Sequence, residues 1–284
     1  MRKIFVILAA SLCCLAAGAQ APVSEALPFV QLDFNPASIA MGSTRVPTVA
    51  ALGGADFQFA GAVNYQNYMP ELDGTHYIGA GAAGRIGGFA ASLSFVRGSG
   101  EEISGQNFTP SEVLVNLGGA SSIGVVTAGV NVKYAKEQLL SNHAHSAVAA
   151  DFFVAAHAGG FDIAGGVSSI GQKVESESTG DFSLPSAATL CAGYALGDEH
   201  RISARLRGDV FFSGSTSAGI GLEYAWMGMA FIRGGFHYGG ESPVPSFASA
   251  GLGLCYSNFT FDAAYIFASD VLAKSFAVSF GVRF

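Results

Sequence analysis

Charge is scarce in this 284-residue sequence. Lys, Arg, Asp and Glu make up 12% of it, where a soluble domain carries about a quarter. The few bases are outnumbered by acids, 14 to 21, and that balance excludes a nucleic-acid-binding surface, which needs a basic footprint. Cysteine is sparse as well. Cys13 and Cys14 fall in the first twenty residues, and the remaining two, Cys191 and Cys255, 64 positions apart, do not make a disulfide framework, so both read as small apolar fillers on strands. Past the first twenty residues no run of 18 consecutive apolar residues occurs, which excludes a transmembrane helix. Disorder is excluded by the opposite property: half of the residues are apolar.

What the chain does have is glycine, 38 of them, and 23 phenylalanines. Its start reads as an address. Arg2 and Lys3 precede a short apolar run, and Ala17-Gly18-Ala19 supplies a small-residue cleavage site, so residues 1–19 are expected to be a secretory signal peptide. A lipoprotein signal fits poorly, because Leu12 or Cys13 stands where a small residue should precede the lipidated cysteine. An exported chain with a membrane-like composition and no membrane helix leaves one architecture. Only helices and closed barrels satisfy the backbone in lipid, so the fold class expected is all-β, a transmembrane antiparallel β-barrel.

Alternation supports this. In residues 274–284, Phe276, Val278, Phe280, Val282 and Phe284 share one face, while Ser275, Ala277, Ser279, Gly281 and Arg283 share the other. The same reading along the chain yields fourteen candidate strands, near 55–68, 75–85, 88–98, 111–120, 124–137, 143–157, 160–171, 187–196, 200–212, 216–226, 228–239, 247–256, 258–268 and 274–284. Phe247 is out of phase with Leu252, Leu254 and Tyr256, which suggests a bulge or a later strand start. The connections alternate between tight turns and longer loops, with only 213–215 short where a long loop is due. Such alternation is the mark of an outer-membrane barrel, with short periplasmic turns and longer extracellular loops. Both chain ends then lie on the periplasmic side, and Glu101, Glu102, Glu175, Glu177, Asp181, Glu241 and Asp270 make the outer rim acidic.

Residues 20–53 lack alternation and contain Pro22, Pro28, Pro36 and Pro47, poor material for a central strand. They are too apolar to hang free in the periplasm. The expectation is an N-terminal hatch packed inside a barrel formed by residues 54–284, against a lumen face rich in Gly, Ala and Ser.

Several pieces together resemble the PorV/PorQ-type outer-membrane proteins of Bacteroidetes, relatives of the FadL fatty acid transporters. Phe29, then Asp33-Phe34-Asn35-Pro36-Ala37 and Ala40-Met41-Gly42, are similar to that family's opening segment, with Ser43 in place of a second glycine. Phe108 to Glu112, Gly129 to Tyr134, Ser169 to Val174, Leu184-Pro185 and Gly193-Tyr194 resemble its later hairpins. The C-terminal Phe284 resembles the assembly signal of bacterial outer-membrane barrels. The resemblance implies a fourteen-stranded FadL-like barrel with a hatch, placed in the outer membrane among its lipids. It further implies a role in type IX secretion or surface assembly, with secreted or surface-attached proteins as partners of the outer loops. The alternative it leaves open is transport of a hydrophobic small molecule such as a fatty acid.

Three constellations bear on chemistry. His143, His145, Asp151 and His157 share a strand face, but no second ligand cluster accompanies them and no metal is expected. Arg201, Arg205, Arg207 and Asp209 line a lumen face, either as a ladder of ion pairs with Asp151, Asp162, Glu223 and Asp262 or as an anion site. No nucleophile motif such as G-x-S-x-G occurs, and Gly79 to Gly84 lies in a strand pattern rather than at a helix start, so neither a catalytic site nor a cofactor is expected.

Overall fold

The computed structural model describes residues 25–44, 58–70, 75–102, 108–141, 143–174, 181–240, 242–268, 272 and 274–284. The expected signal peptide, and with it Cys13 and Cys14, lies outside them, as do Glu175, Glu177, Glu241 and Asp270.

Fourteen strands form the wall: β1 (Phe59–Asn67), β2 (His76–Ile86), β3 (Phe89–Ser99), β4 (Ser111–Ile123), β5 (Val126–Leu140), β6 (His143–Ala158), β7 (Phe161–Gly171), β8 (Ala187–Leu196), β9 (His200–Phe211), β10 (Thr216–Trp226), β11 (Ala230–Tyr238), β12 (Phe247–Tyr256), β13 (Phe259–Phe267) and β14 (Phe276–Arg283). Each pairs antiparallel with its sequence neighbour, and β1 closes on β14 from Ala60 opposite Arg283 to Asn67 opposite Phe276. Among the described strands no edge remains. Every wall residue can therefore meet its backbone hydrogen bonds without water, the condition for crossing hydrocarbon.

The two-residue period sorts the side chains. On β10, Ile220, Leu222 and Tyr224 point out while Gly219, Gly221 and Glu223 point in. Outward Leu117, Ile232 and Leu252 are 61%, 60% and 61% exposed to the surroundings, and similar residues recur around the ring. A continuous apolar belt of this kind has lipid as its natural solvent. Phe89, Phe161, Tyr194, Trp226, Tyr256 and Phe259 mark one margin of the belt, and Phe95, Tyr134, Phe212, Tyr238 and Phe267 the other.

One rim carries the tight turns and Phe284. Gly124 and Gly159 take left-handed φ values of 60° and 57° there, a conformation that glycine adopts without Cβ strain. Phe284 sits on this rim, its N–H donating to Phe59 O at 2.8 Å and its own carbonyl accepting from Gln58 N–H at 2.6 Å, so the last residue seals the β1–β14 seam. The described residues begin at the other rim, where Ala26 meets Ser183 of the loop before β8, so the expectation of both ends on the turn side is not met by the described chain.

Two further sequence expectations change here. β12 starts at Phe247 with an unbroken register to both neighbours, so there is no bulge and no later start. Phe247 is out of phase because it points inward, its ring stacked 5.1 Å from His237. The long connection expected between β5 and β6 is instead zipped into the hairpin, with Leu140 paired to His143 across a bulge at Leu139. On the loop rim, both this connection and the one after β9 are therefore tight.

Candidate functional site

The described part of the N-terminal segment, residues 25–44, lies inside the barrel. It enters beside the loop before β8, where Ala26 N–H donates to Ser183 O at 2.9 Å. A 3-10 turn, Pro28–Gln31, buries Phe29 and Val30. Gln31 then donates to Pro185 O at 2.5 Å and to Ser169 Oγ at 3.4 Å. Ser169 is the pivot of a bulge in β7, at φ 55° and fully buried. Across the lumen, the Phe34 ring tilts onto Tyr77 at 5.1 Å, and Asn64 of β1 donates to Phe34 O at 2.8 Å.

A single helical turn, α1 (Pro36–Ile39), follows. Asn35 caps it by accepting from Ser38 N–H at 3.3 Å, and Pro36 takes the first helical position, where its missing N–H costs nothing. Asp33 accepts from Asn35 N–H at 3.0 Å, which fixes the entry to the turn. All four residues of α1 are buried, and the turn packs on β12, β13 and β14.

The chain then crosses β10 to β12 at backbone contact. Ala40 and Met41 are 0% and 1% exposed. Gly42 has φ 66°, and a Cβ on it would stand 2.5 Å from Phe236 O of β11. On the wall, Cβ atoms at Gly219, Gly221, Gly235 and Gly251 would collide with Gly42, Met41 or Ala40. Four inward glycines from three strands thus form a cradle for the Ala-Met-Gly stretch. Ser249 Oγ accepts from Gly42 N–H at 3.3 Å, and Thr44 Oγ1 donates back to Met41 O at 2.8 Å.

Most of the lumen charges are paired. Arg207 grips Asp209 with Nε at 2.9 Å and a second guanidinium nitrogen at 2.9 Å, and Asp209 also accepts from Thr189 and Ser217 at 2.6 and 3.0 Å. Arg201 and Arg205 reach Glu223 and Asp162 at only 3.7 and 3.8 Å, beyond hydrogen-bond distance. Asp162 also meets His157 Nδ1 at 2.6 Å. Asp151 pairs with Lys133 at 2.9 Å rather than with an arginine; the same oxygen, Oδ1, accepts from Ser169 N–H, and Oδ2 accepts from Asn131.

The strongest junction involves a residue that the sequence reading missed. Arg233 of β11 is 5% exposed and bridges Glu223 at 2.7 Å and Asp262 at 2.6 Å. Its signal was present, since Phe231, Arg233, Gly235 and His237 share the inward phase. Lys133 was missed for the same reason, an inward cation within an apolar run.

His143 and His157 stand at opposite ends of β6, while His145 lines a cavity of about 540 Å³ at the loop rim with Lys173 and Asp181. No group of metal-ligating side chains occurs among the described residues. Cys191 and Cys255 are buried and free, on strands four places apart in the ring, with Arg283 donating to Cys255 Sγ at 3.0 Å.

No family model and no curated protein matches the chain, so the PorV/PorQ-type likeness finds no support from sequence comparison. Solved structures do match. The Ralstonia pickettii toluene transporter TbuX aligns with a TM-score of 0.61 at 13% identity, over 88% of this chain and 98% of that one. A Pseudomonas aeruginosa FadL homologue aligns at 0.56 and 14%, with the same coverage of both chains. The monoaromatic hydrocarbon channel CymD aligns at 0.60 and 10%, over 88% and 97%. The closed fourteen-stranded wall described here is accordingly the fold of the FadL-type outer-membrane barrels.

Proposed function

We propose that this barrel sits in the outer membrane, loop rim outward, and passes a hydrophobic small molecule such as a hydrocarbon or fatty acid toward the periplasm. One observation carries the reading. In the loop-side half of the lumen, the inserted segment and the wall bury a shared apolar lining, with Leu27, Phe29, Val30 and Ile39 against Val96, Leu114, Phe247 and Ile266. Open aqueous porins line their lumen with polar groups. An apolar lining behind a segment held by a few hydrogen bonds suits a cargo that leaves water willingly. The fold shared with hydrocarbon transporters supports this reading.

Below the segment, Arg201 and Arg205 keep their acids at arm's length. In this reading they offer a passing carboxylate a partner, while Arg207–Asp209 and the Arg233 junction hold the wall. The chain acts without a catalytic step, moving cargo unchanged.

The test is uptake into proteoliposomes of toluene-like hydrocarbons and of long-chain fatty acids, with native mass spectrometry of the purified barrel. Saturable uptake that a bulky substitution at Phe29 alters supports the proposal. Failure to bind or pass either class overturns it. A secretion role of PorV/PorQ type would then take its place if loss of the protein also blocked display of surface proteins.

A further inference from the structure

We infer that the outward face of β3, β4 and β5, just inside the loop rim, binds the phosphate groups of a phosphorylated glycolipid in the outer leaflet. The inference rests on the outer-membrane placement proposed above and is independent of what the lumen carries.

Among the described strand residues, Arg97 and Lys136 are the only Lys, Arg, Asp or Glu that fall on the outward phase. All other strand charges point inward, where most are paired. The two outward cations are also neighbours. Arg97 of β3 stands opposite Val113 of β4, and Val113 stands opposite Lys136 of β5. They share one row, two strand spacings apart, roughly 10 Å between backbones. Both are exposed, and neither has a hydrogen bond or ion pair among the described residues.

Their depth follows from the rows on either side. One outward step toward the turn rim, Phe95, Val115 and Tyr134 form the next row, part of the aromatic margin of the belt. One step toward the loop rim, the row is Ser99, Ser111 and Gln138, and Ser146 stands opposite Lys136 on β6. Aromatic margins lie at headgroup level. A lipid-facing Lys or Arg costs about 2–4 kcal/mol at mid-bilayer and close to nothing near the interface. Long basic side chains one step beyond the aromatics can therefore reach into the headgroups with their charge solvated.

The chemistry selects the lipid. The two cations have no outward acid beside them on the described strands, the exposed Glu101 and Glu102 following only past the end of β3. Such a pair calls for more than one negative charge, and a zwitterionic headgroup would bring its own cation beside them. A disaccharide lipid with phosphates on both sugars, the lipopolysaccharide type, supplies two anions on one rigid frame, and the serine and glutamine row offers partners for sugar hydroxyls. Among the described residues the turn rim has no such pair of outward cations. Its outward His200 is paired with Tyr224 at 2.7 Å.

The experiment measures binding of a diphosphorylated glycolipid, its dephosphorylated form, phosphatidylglycerol and inorganic phosphate to the full barrel in nanodiscs. The proteins compared are the wild type, Arg97→Gln, Lys136→Gln, the double Gln variant and the Arg97→Lys/Lys136→Arg exchange. Each neutralisation should weaken glycolipid binding about fivefold, and the pair about 25-fold. The charge-preserving exchange should stay close to wild type, and the dephosphorylated lipid should bind the wild type no better than the double variant binds the full glycolipid. All variants should keep the heat-modifiable gel migration of a closed barrel. Equal glycolipid binding by wild type and double variant overturns the proposal. Equally strong binding of phosphatidylglycerol or inorganic phosphate overturns it too, by showing a generic anion patch. A protein absent from outer-membrane fractions would defeat the location itself, whereas a correctly located barrel without differential binding defeats only this site.

Discussion

Arg233 shows how one enclosed charge can govern its neighbours. Its guanidinium holds Glu223 and Asp262 at once, and the aromatic ring of Phe231 lies 4.9 Å beneath it. Replacing it with methionine leaves two inward carboxylates facing each other. Removing one partner of a buried pair costs about 3–5 kcal/mol, and Arg233→Met should lower the denaturant midpoint accordingly, followed by fluorescence of Trp226. Adding Glu223→Gln and Asp262→Asn should recover part of the loss. No recovery would mean that packing of the long side chain, rather than its charge, supplies the stability. The arginines of β9 were legible in the sequence because they recur in a plain inward phase. Arg233 was equally in phase but stood alone in a strand of glycines and aromatics, and a lone cation does not declare its partners.

The inserted segment depends on what the wall lacks at four places. Gly221 is one of them, since its missing Cβ leaves room for the backbone of Met41. Gly221→Val should therefore dislodge residues 40–44 while β10 keeps its pairing. The expected outcome is a closed barrel by gel migration whose N-terminal segment is cut by added protease at least several times faster than in the wild type. Unchanged cleavage would show that the segment is held mainly at its other contacts, through Gln31 and Asn64. That Phe29, Asp33, Asn35, Pro36, Met41 and Gly42 belong to one inserted segment was visible in the sequence as proline density joined to apolarity. That Met41 and Gly42 dock on β10 and β11, and Gln31 on the β7 bulge, was not, because these partners lie more than a hundred residues away.

For the barrel as a body, the direction of the apolar face is the testable quantity. Leu222 is outward near the middle of β10 and 57% exposed. Leu222→Arg should cost about 2–4 kcal/mol when folding is measured in bilayers. In detergent, whose micelle deforms around the charge, the loss should be smaller. Equal small effects in both would argue that this face does not meet hydrocarbon. Phe284 carries the second prediction, which rests on its likeness to the assembly signal of other barrels and on its place in the β1–β14 seam. Deleting it should reduce the outer-membrane level of the protein several-fold while barrel refolded in vitro still closes. Normal levels in cells would leave it the seam contact alone.

The wall was readable from the sequence because alternation is local: each strand's own residues state which side is greasy, and the spacing of turn residues sets the count. Bounds agreed within a few residues nearly everywhere. The misreadings came where an inward position was itself apolar, as at Phe247, or where pairing ran on past the polar cue for a loop, as at Leu139 and Leu140. Only the closed structure decided which glycines cradle the inserted segment, which acid each arginine meets, and that Arg97 and Lys136 share one row with Val113 between them. The reason is register. Those neighbours are set by how far each strand slides against the next, a quantity shared between strands and written in neither one alone.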